Sequence, residues 1–182
     1  MSNIVITRTQ RRLVLAAAIV VLIAAVAIIG SGGSGGGSTA ADATDGAAVP
    51  SAEFELFEGG TASFDDFGGK PLVINFWASW CPACVSELPD FQKVHEELGD
   101  DVTFLGMANA DQRSAADALA ADVGLTYTLA DDPDGELFRS FDLIAMPSTV
   151  FVTADGQISE VFGGQLTESS LVERIEAAQE AS

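Results

Sequence analysis

Pro71-Leu-Val-Ile-Asn-Phe-Trp-Ala-Ser-Trp-Cys-Pro-Ala-Cys84 is the stretch that decides the fold. Pro71 to Trp77 is apolar apart from Asn75 and reads as a buried strand. Val85 to Leu98 reads as a helix. Cys81 and Cys84, the chain's only two cysteines, therefore sit where a strand ends and a helix begins. Two thiols at this spacing can close and reopen a short disulfide ring. The free backbone N–H groups and the dipole at a helix start stabilise a thiolate on the first cysteine. A thiolate is the species that attacks disulfides.

Working outward, Phe54-Glu-Leu-Phe57 and Ala62-Ser-Phe64 flank Glu58-Gly-Gly60, the pattern of a small hairpin. Val102–Ala108 reads as a second buried strand, Arg113–Val123 as an Ala-rich helix ended by Gly124, and Thr126–Leu129 as a short extended piece. Asp131 to Gly135 reads as a turn and Glu136–Phe141 as a short helix. Ser148–Val152 and Ile158–Phe162 are strands joined by the Asp155-Gly156 turn, and Thr167–Ala178 closes the chain as a helix with Thr167 as N-cap. Pro89 predicts a kink in the helix after Cys84. This order makes an α/β fold with a central mixed sheet covered on both faces.

The two cysteines close too small a loop to staple a fold, and with the single histidine, His95, they do not complete a structural zinc set. Redox chemistry is their natural use. His95, among Glu96 and Glu97, reads as a surface residue. No residue set predicts a metal site. The 182 residues carry 27 acidic and 8 basic side chains. All the acidic ones lie beyond residue 40, where only five basic residues oppose them, a net of −22. Such a domain repels nucleic acid and anionic lipid, and favours basic or neutral partners.

Leu13 to Ile29 is 17 uninterrupted apolar residues, preceded by Arg8, Arg11 and Arg12. A helix of that length spans ~26 Å, the short end of what crosses a bilayer. The positive-inside rule places residues 1–12 in the cytoplasm, a transmembrane anchor at 13–30 and the rest outside. A cleaved signal peptide and a twin-arginine export signal at Thr9-Gln-Arg-Arg-Leu-Val-Leu15 stand beside the anchor as readings. All three put the domain outside the cytoplasm. Residues 31–50, rich in Gly, Ser and Ala, read as a flexible linker reaching ~25 Å, leaving 51–182 as the domain.

From about Phe54 onward the chain resembles the thioredoxin fold. Within it, the sequence is similar to the membrane-anchored extracytoplasmic TlpA/ResA-like thiol–disulfide oxidoreductases, a group that includes the cytochrome c maturation reductants. Four features carry the resemblance: Gly69-Lys70 through Cys84, the continuation Cys84-Val-Ser-Glu87-Leu-Pro89, Ala145-Met146-Pro147-Ser-Thr-Val-Phe151 followed by Asp155-Gly156, and a helix-and-strand segment of roughly 20 residues between the second strand and Pro147 that resembles the family's central insertion. The resemblance implies an N-terminal hairpin ahead of the fold, Cys81 as nucleophile and Cys84 as resolving thiol. It implies that Pro147 is the cis-proline facing the disulfide, with the Met146 backbone aimed at a substrate strand. Trp80, Pro82 and Ala83 then face substrate, with Trp80 and Trp77 shielding the disulfide.

Glu87 shares a helix face with Cys84, and an acid there assists proton transfer in the resembled family. Ordinary thioredoxins place an aspartate where Asn75 stands, and Asn75 cannot ionise. The implied activity is thiol–disulfide exchange on protein thiols or disulfides, needing no cofactor. As a reductant of apocytochrome c or other secreted proteins, the chain would draw electrons from a transmembrane thiol carrier. Oxidative folding of secreted proteins is the alternative direction. A copper-handling role lacks the wider cysteine spacing and dedicated histidine of that group, and a peroxidase role lacks a threonine three residues before either cysteine.

Overall fold

The computed structural model describes residues 46–182. The expected cytoplasmic N-terminus, the anchor at 13–30 and most of the linker lie outside the described residues. Among the described residues, no helix is long and apolar enough to cross a membrane.

The strands are β1 (Glu53–Glu55), β2 (Thr61–Ser63), β3 (Leu72–Trp77), β4 (Thr103–Asn109), β5 (Thr128–Asp132), β6 (Ser148–Val152) and β7 (Ile158–Gly163). The helices are α1 (Pro82–Leu98), α2 (Arg113–Val123), α3 (Glu136–Ser140) and α4 (Glu168–Glu180), with a short 3-10 turn at Phe64–Phe67. β1 and β2 form the expected antiparallel hairpin. The main sheet has the order β5-β4-β3-β6-β7, parallel from β3 through β5 and antiparallel from β3 through β7. It is the mixed sheet of a thioredoxin fold. β3 lies at its centre with all six residues buried, which is why its sequence runs apolar rather than alternating.

The sheet's two faces carry different cores. Ile74, Phe76, Leu105, Met107 and Val150 point to one face, where the hairpin, the 3-10 turn and the five-residue α3 cover them. Val73, Phe104 and Phe151 point to the other, under α1 and α4, and Trp77 and Ala108 meet α1 and α2 there. Helices cover both faces, as expected, but the long ones share one side.

α1 begins with Cys81 as N-cap and Pro82 in its first turn, where a missing N–H costs nothing. Cys84, Glu87, Leu88, Phe91, Gln92 and Val94 form its buried stripe. It is one helix through Pro89. α2 stops at Gly124, whose φ of 79° is the left-handed helix-ending conformation. Thr167 caps α4 through Ser170 N, as its sequence predicts.

Three expectations change, the first being the turn from Asp131, since Asp131 and Asp132 end β5. The linker was expected to reach residue 50, but Gly46 N donates to Ile158 O at 2.7 Å, Ile158 N to Ala47 O at 2.7 Å, and Val49 N to Gly156 O at 3.3 Å. The folded part thus begins by Gly46, laid along residues 156–158 at the start of β7. At the opposite edge, Phe57 N donates to Leu129 O at 2.9 Å and Leu56 bridges Ala130, so the hairpin covers β5. His95 is not a free surface residue. It packs edge-on against Phe104 and Tyr127, with centroids 5.4 and 5.5 Å away, and this burial pulls its pKa below 6.5.

Candidate active site at the start of the first helix

Cys81 and Cys84 form a disulfide across the first turn of α1, with Cα atoms 5.3 Å apart. Cys81 retains a small exposed fraction, 6%, while Cys84 is fully buried. An incoming partner therefore meets Cys81 first. Cys81 Sγ accepts one hydrogen bond, from Cys84 N at 3.2 Å. That bond ties the sulfur to the N-terminal end of the helix, where a thiolate is favoured once the disulfide opens.

The Met146–Pro147 bond is cis, as the resemblance implied. A cavity of about 470 Å³ lies between the two segments. Trp80, Cys81, Pro82 and Ala83 wall it on one side and Ile144, Ala145 and Met146 on the other, with Asn109 and Phe138 completing it. No charged side chain lines it. Trp80 is 59% exposed and Ile144 86% exposed, the large apolar side chains left open among the described residues. Both flank the nucleophile, so apolar contact area is concentrated where a partner must dock. Trp77, by contrast, is fully buried beneath the disulfide.

Glu87 lies fully buried one turn below Cys84. Oε1 accepts from Asn75 Nδ2 at 2.9 Å and Oε2 from Leu166 N at 2.9 Å. Burial raises its pKa from 4.5 to about 7, against the lowering effect of those two donors, with Asp90 adding a smaller upward push. A carboxyl with that affinity holds or releases a proton near neutral pH. Asn75 thus does more than fail to ionise: it orients the acid. Its sequence signal is a lone polar residue inside an apolar strand.

Sequence reasoning missed the segment after β4. Ser79 N and Ser79 Oγ donate to the Asp111 carboxylate, Trp80 Nε1 to Ala110 O, and Asn109 Nδ2 to Met146 Sδ. Each partner is at least 30 residues away in sequence, so no local pattern announces it. Among the described residues, no group of three or more His, Cys, Asp or Glu is placed to hold a metal ion.

The family model for redoxin matches residues 44–178. The chain belongs to the redoxin family. It is 30% identical to the sporulation thiol-disulfide oxidoreductase A of Bacillus subtilis, over 69% of this chain and 79% of that protein. It is also 30% identical to the thiol-disulfide oxidoreductase ResA of Oceanobacillus iheyensis, over 59% of this chain and 56% of that protein, a little over half of its length. A secreted disulfide oxidoreductase of Mycobacterium tuberculosis, described as homologous to E. coli DsbE, superposes with a TM-score of 0.64 at 27% identity, covering 70% of this chain and 96% of that one. With Cys81 and Cys84 paired at the helix start, this redoxin is a thiol–disulfide oxidoreductase.

Proposed function

We propose that this oxidoreductase works as a reductant outside the cytoplasm, held at the membrane by residues 13–30. Its partners are protein disulfides in secreted chains, apocytochrome c among them, and a transmembrane thiol carrier resupplies its electrons. The apolar run behind three arginines supports the anchor, and the secreted M. tuberculosis relative supports export.

The observation that carries the direction is the setting of the dithiol. A couple becomes oxidising when its reduced thiolate is strongly stabilised. Here Cys81 Sγ has one N–H donor, no cationic side chain lines the cavity beside it, and a buried carboxyl sits below Cys84. Each of these leaves the thiolate weakly stabilised, which favours giving electrons away.

The cycle starts from the dithiol. Cys81 thiolate attacks one sulfur of the partner disulfide, and the partner's other sulfur leaves and takes a proton. Glu87 carboxylate accepts the Cys84 proton. Cys84 sulfur then attacks Cys81 Sγ, and the partner's second sulfur departs as a thiolate and is protonated. Two electrons have passed to the partner with two protons, the one that Cys81 released to solvent and the one from Cys84, which Glu87 gives up in turn, and the Cys81–Cys84 bond has re-formed. The carrier returns two electrons by the same steps reversed.

Equilibration of the couple against dithiothreitol and glutathione tests the direction. A potential near about −270 mV or lower supports the reductant, and one near about −120 mV replaces it with oxidative folding.

A further inference from the structure

The donors of the two residues that precede Cys81 go to another segment and not to its sulfur. Ser79, two residues before the nucleophile, donates its N–H to Asp111 Oδ2 at 2.5 Å and its hydroxyl to Asp111 Oδ1 at 2.8 Å. Trp80, the adjacent residue, donates its indole N–H to Ala110 O at 3.1 Å. The acceptors belong to one strap, Asn109–Asp111, at the end of β4. Asp111 Oδ1 is fixed further by Gln112 N at 2.7 Å, and Ala110 N donates to Asp132 O at 2.9 Å. The same strap reaches the opposite wall of the cavity, where Asn109 Nδ2 donates to Met146 Sδ at 3.2 Å.

Ala110 has a φ of 48°, the left-handed region. That conformation costs a non-glycine residue ~1–2 kcal/mol, and strain of this kind gathers at functional sites. The strain presents Ala110 O to Trp80 and Asp111 to Ser79 together.

We infer that Asp111 is a positioning residue: by engaging both donors of Ser79 it withholds them from Cys81 and keeps the Cys81–Cys84 couple reducing. The inference rests on the reductant reading above. Its charge acts in the same sense: a carboxylate bonded to the residue two places before the nucleophile disfavours a further negative charge on that segment. The titratable groups held on the segments that carry the dithiol are then Glu87, one turn after Cys84 on α1, and Asp111, bonded to Ser79. The cavity-lining segments on the cis-proline side contribute none.

The test uses the full chain in mild detergent and three variants: Asp111→Asn, Asp111→Ala and the double variant Ser79→Ala with Asp111→Asn. Two quantities are read, the equilibrium constant with glutathione and the pH midpoint for alkylation of Cys81. Asp111→Asn keeps the shape of the side chain, removes its charge and frees a Ser79 donor. We expect it to move the equilibrium about tenfold toward the dithiol, equivalent to about 30 mV, and to lower the alkylation midpoint. In the double variant the freed hydroxyl is gone, and at least half of the shift should return. Equilibrium constants within twofold of wild type in both single variants, with unmoved alkylation profiles, overturn the inference. So does a lower urea midpoint without either shift, which marks Asp111 as structural only. The wild-type potential tests the direction of the enzyme, whereas the difference between wild type and variants tests Asp111, so the two failures are distinguishable.

Discussion

Replacing Glu87 with glutamine should leave the oxidised protein more stable at alkaline pH than at acid pH, relative to wild type. Below about pH 4.5 the carboxyl is protonated in both folded and unfolded chains, and ionisation makes no difference. Between 4.5 and about 7 the unfolded chain releases a proton that the folded one keeps, so wild-type stability falls as pH rises. Above that range both forms are ionised and the penalty is constant. The interval from 4.5 to about 7, at about 1.4 kcal/mol per pH unit, sets the full penalty at ~3 kcal/mol. Glutamine carries none of it. The site can receive the new amide: Gln at 87 can accept from Leu166 N and donate to Asn75 Oδ1, a buried oxygen that has no partner, once the Asn75 amide turns over. Urea unfolding of both proteins at pH 4, 6 and 8 measures the difference. The gap should move by ~3 kcal/mol in favour of glutamine from the lowest pH to the highest. A gap that stays constant across the series would refute a carboxyl held protonated by burial. The same variant should flatten the pH dependence of thiol reactivity near neutrality, because Cys84 loses its proton acceptor.

Cys84→Ser should stop the cycle at the mixed disulfide, and mass spectrometry should find the partner attached to Cys81; a free enzyme after incubation with a disulfide peptide counts against Cys81 as nucleophile. Ile144→Ser removes exposed apolar area beside the cavity, and should raise KM for apolar disulfide peptides about fivefold, equivalent to ~1 kcal/mol of lost burial, as stopped-flow exchange would show. Gly106→Ala should destabilise the fold by ~1–3 kcal/mol. A Cβ there would stand 2.7 Å from Leu129 Cδ2 and 3.0 Å from both Trp77 Nε1 and Tyr127 Cε2, and an unchanged thermal midpoint would show that these side chains yield freely.

Local chemistry made much of this site legible in advance. Trp80 through Cys84 carry their own meaning, and the three-residue step from Cys84 to Glu87 places an acid on the same helix face by geometry alone. What holds that acid was not legible. Asn75 is 12 residues from Glu87 and Leu166 is 79, and only the packing of α1 between β3 and the segment before α4 brings them together. Asp111 looked like one more acid in a strongly acidic domain, because nothing near it in sequence marks Ser79 as its partner. His95 was misplaced for a related reason. Its neighbours Glu96 and Glu97 face water, but one step along the helix turns the ring onto Phe104 and Tyr127. The linker boundary slipped because Gly46 to Val49 has a tether's composition, while its order comes from backbone bonds to β7 that need no particular side chain.

Those bonds matter beyond the boundary. Partners that offer a cysteine in an unfolded segment also offer bare backbone, and bare backbone adds readily to any open strand. Here Ile158, the first residue of β7, is paired with Gly46 and Ala47, and Leu129 and Ala130 of β5 with Phe57 and Leu56. At these points an extended segment finds no free backbone to pair with. The chain's own flanks thus cover part of each edge, while the exposed apolar side chains Trp80 and Ile144 lie at the cysteine end.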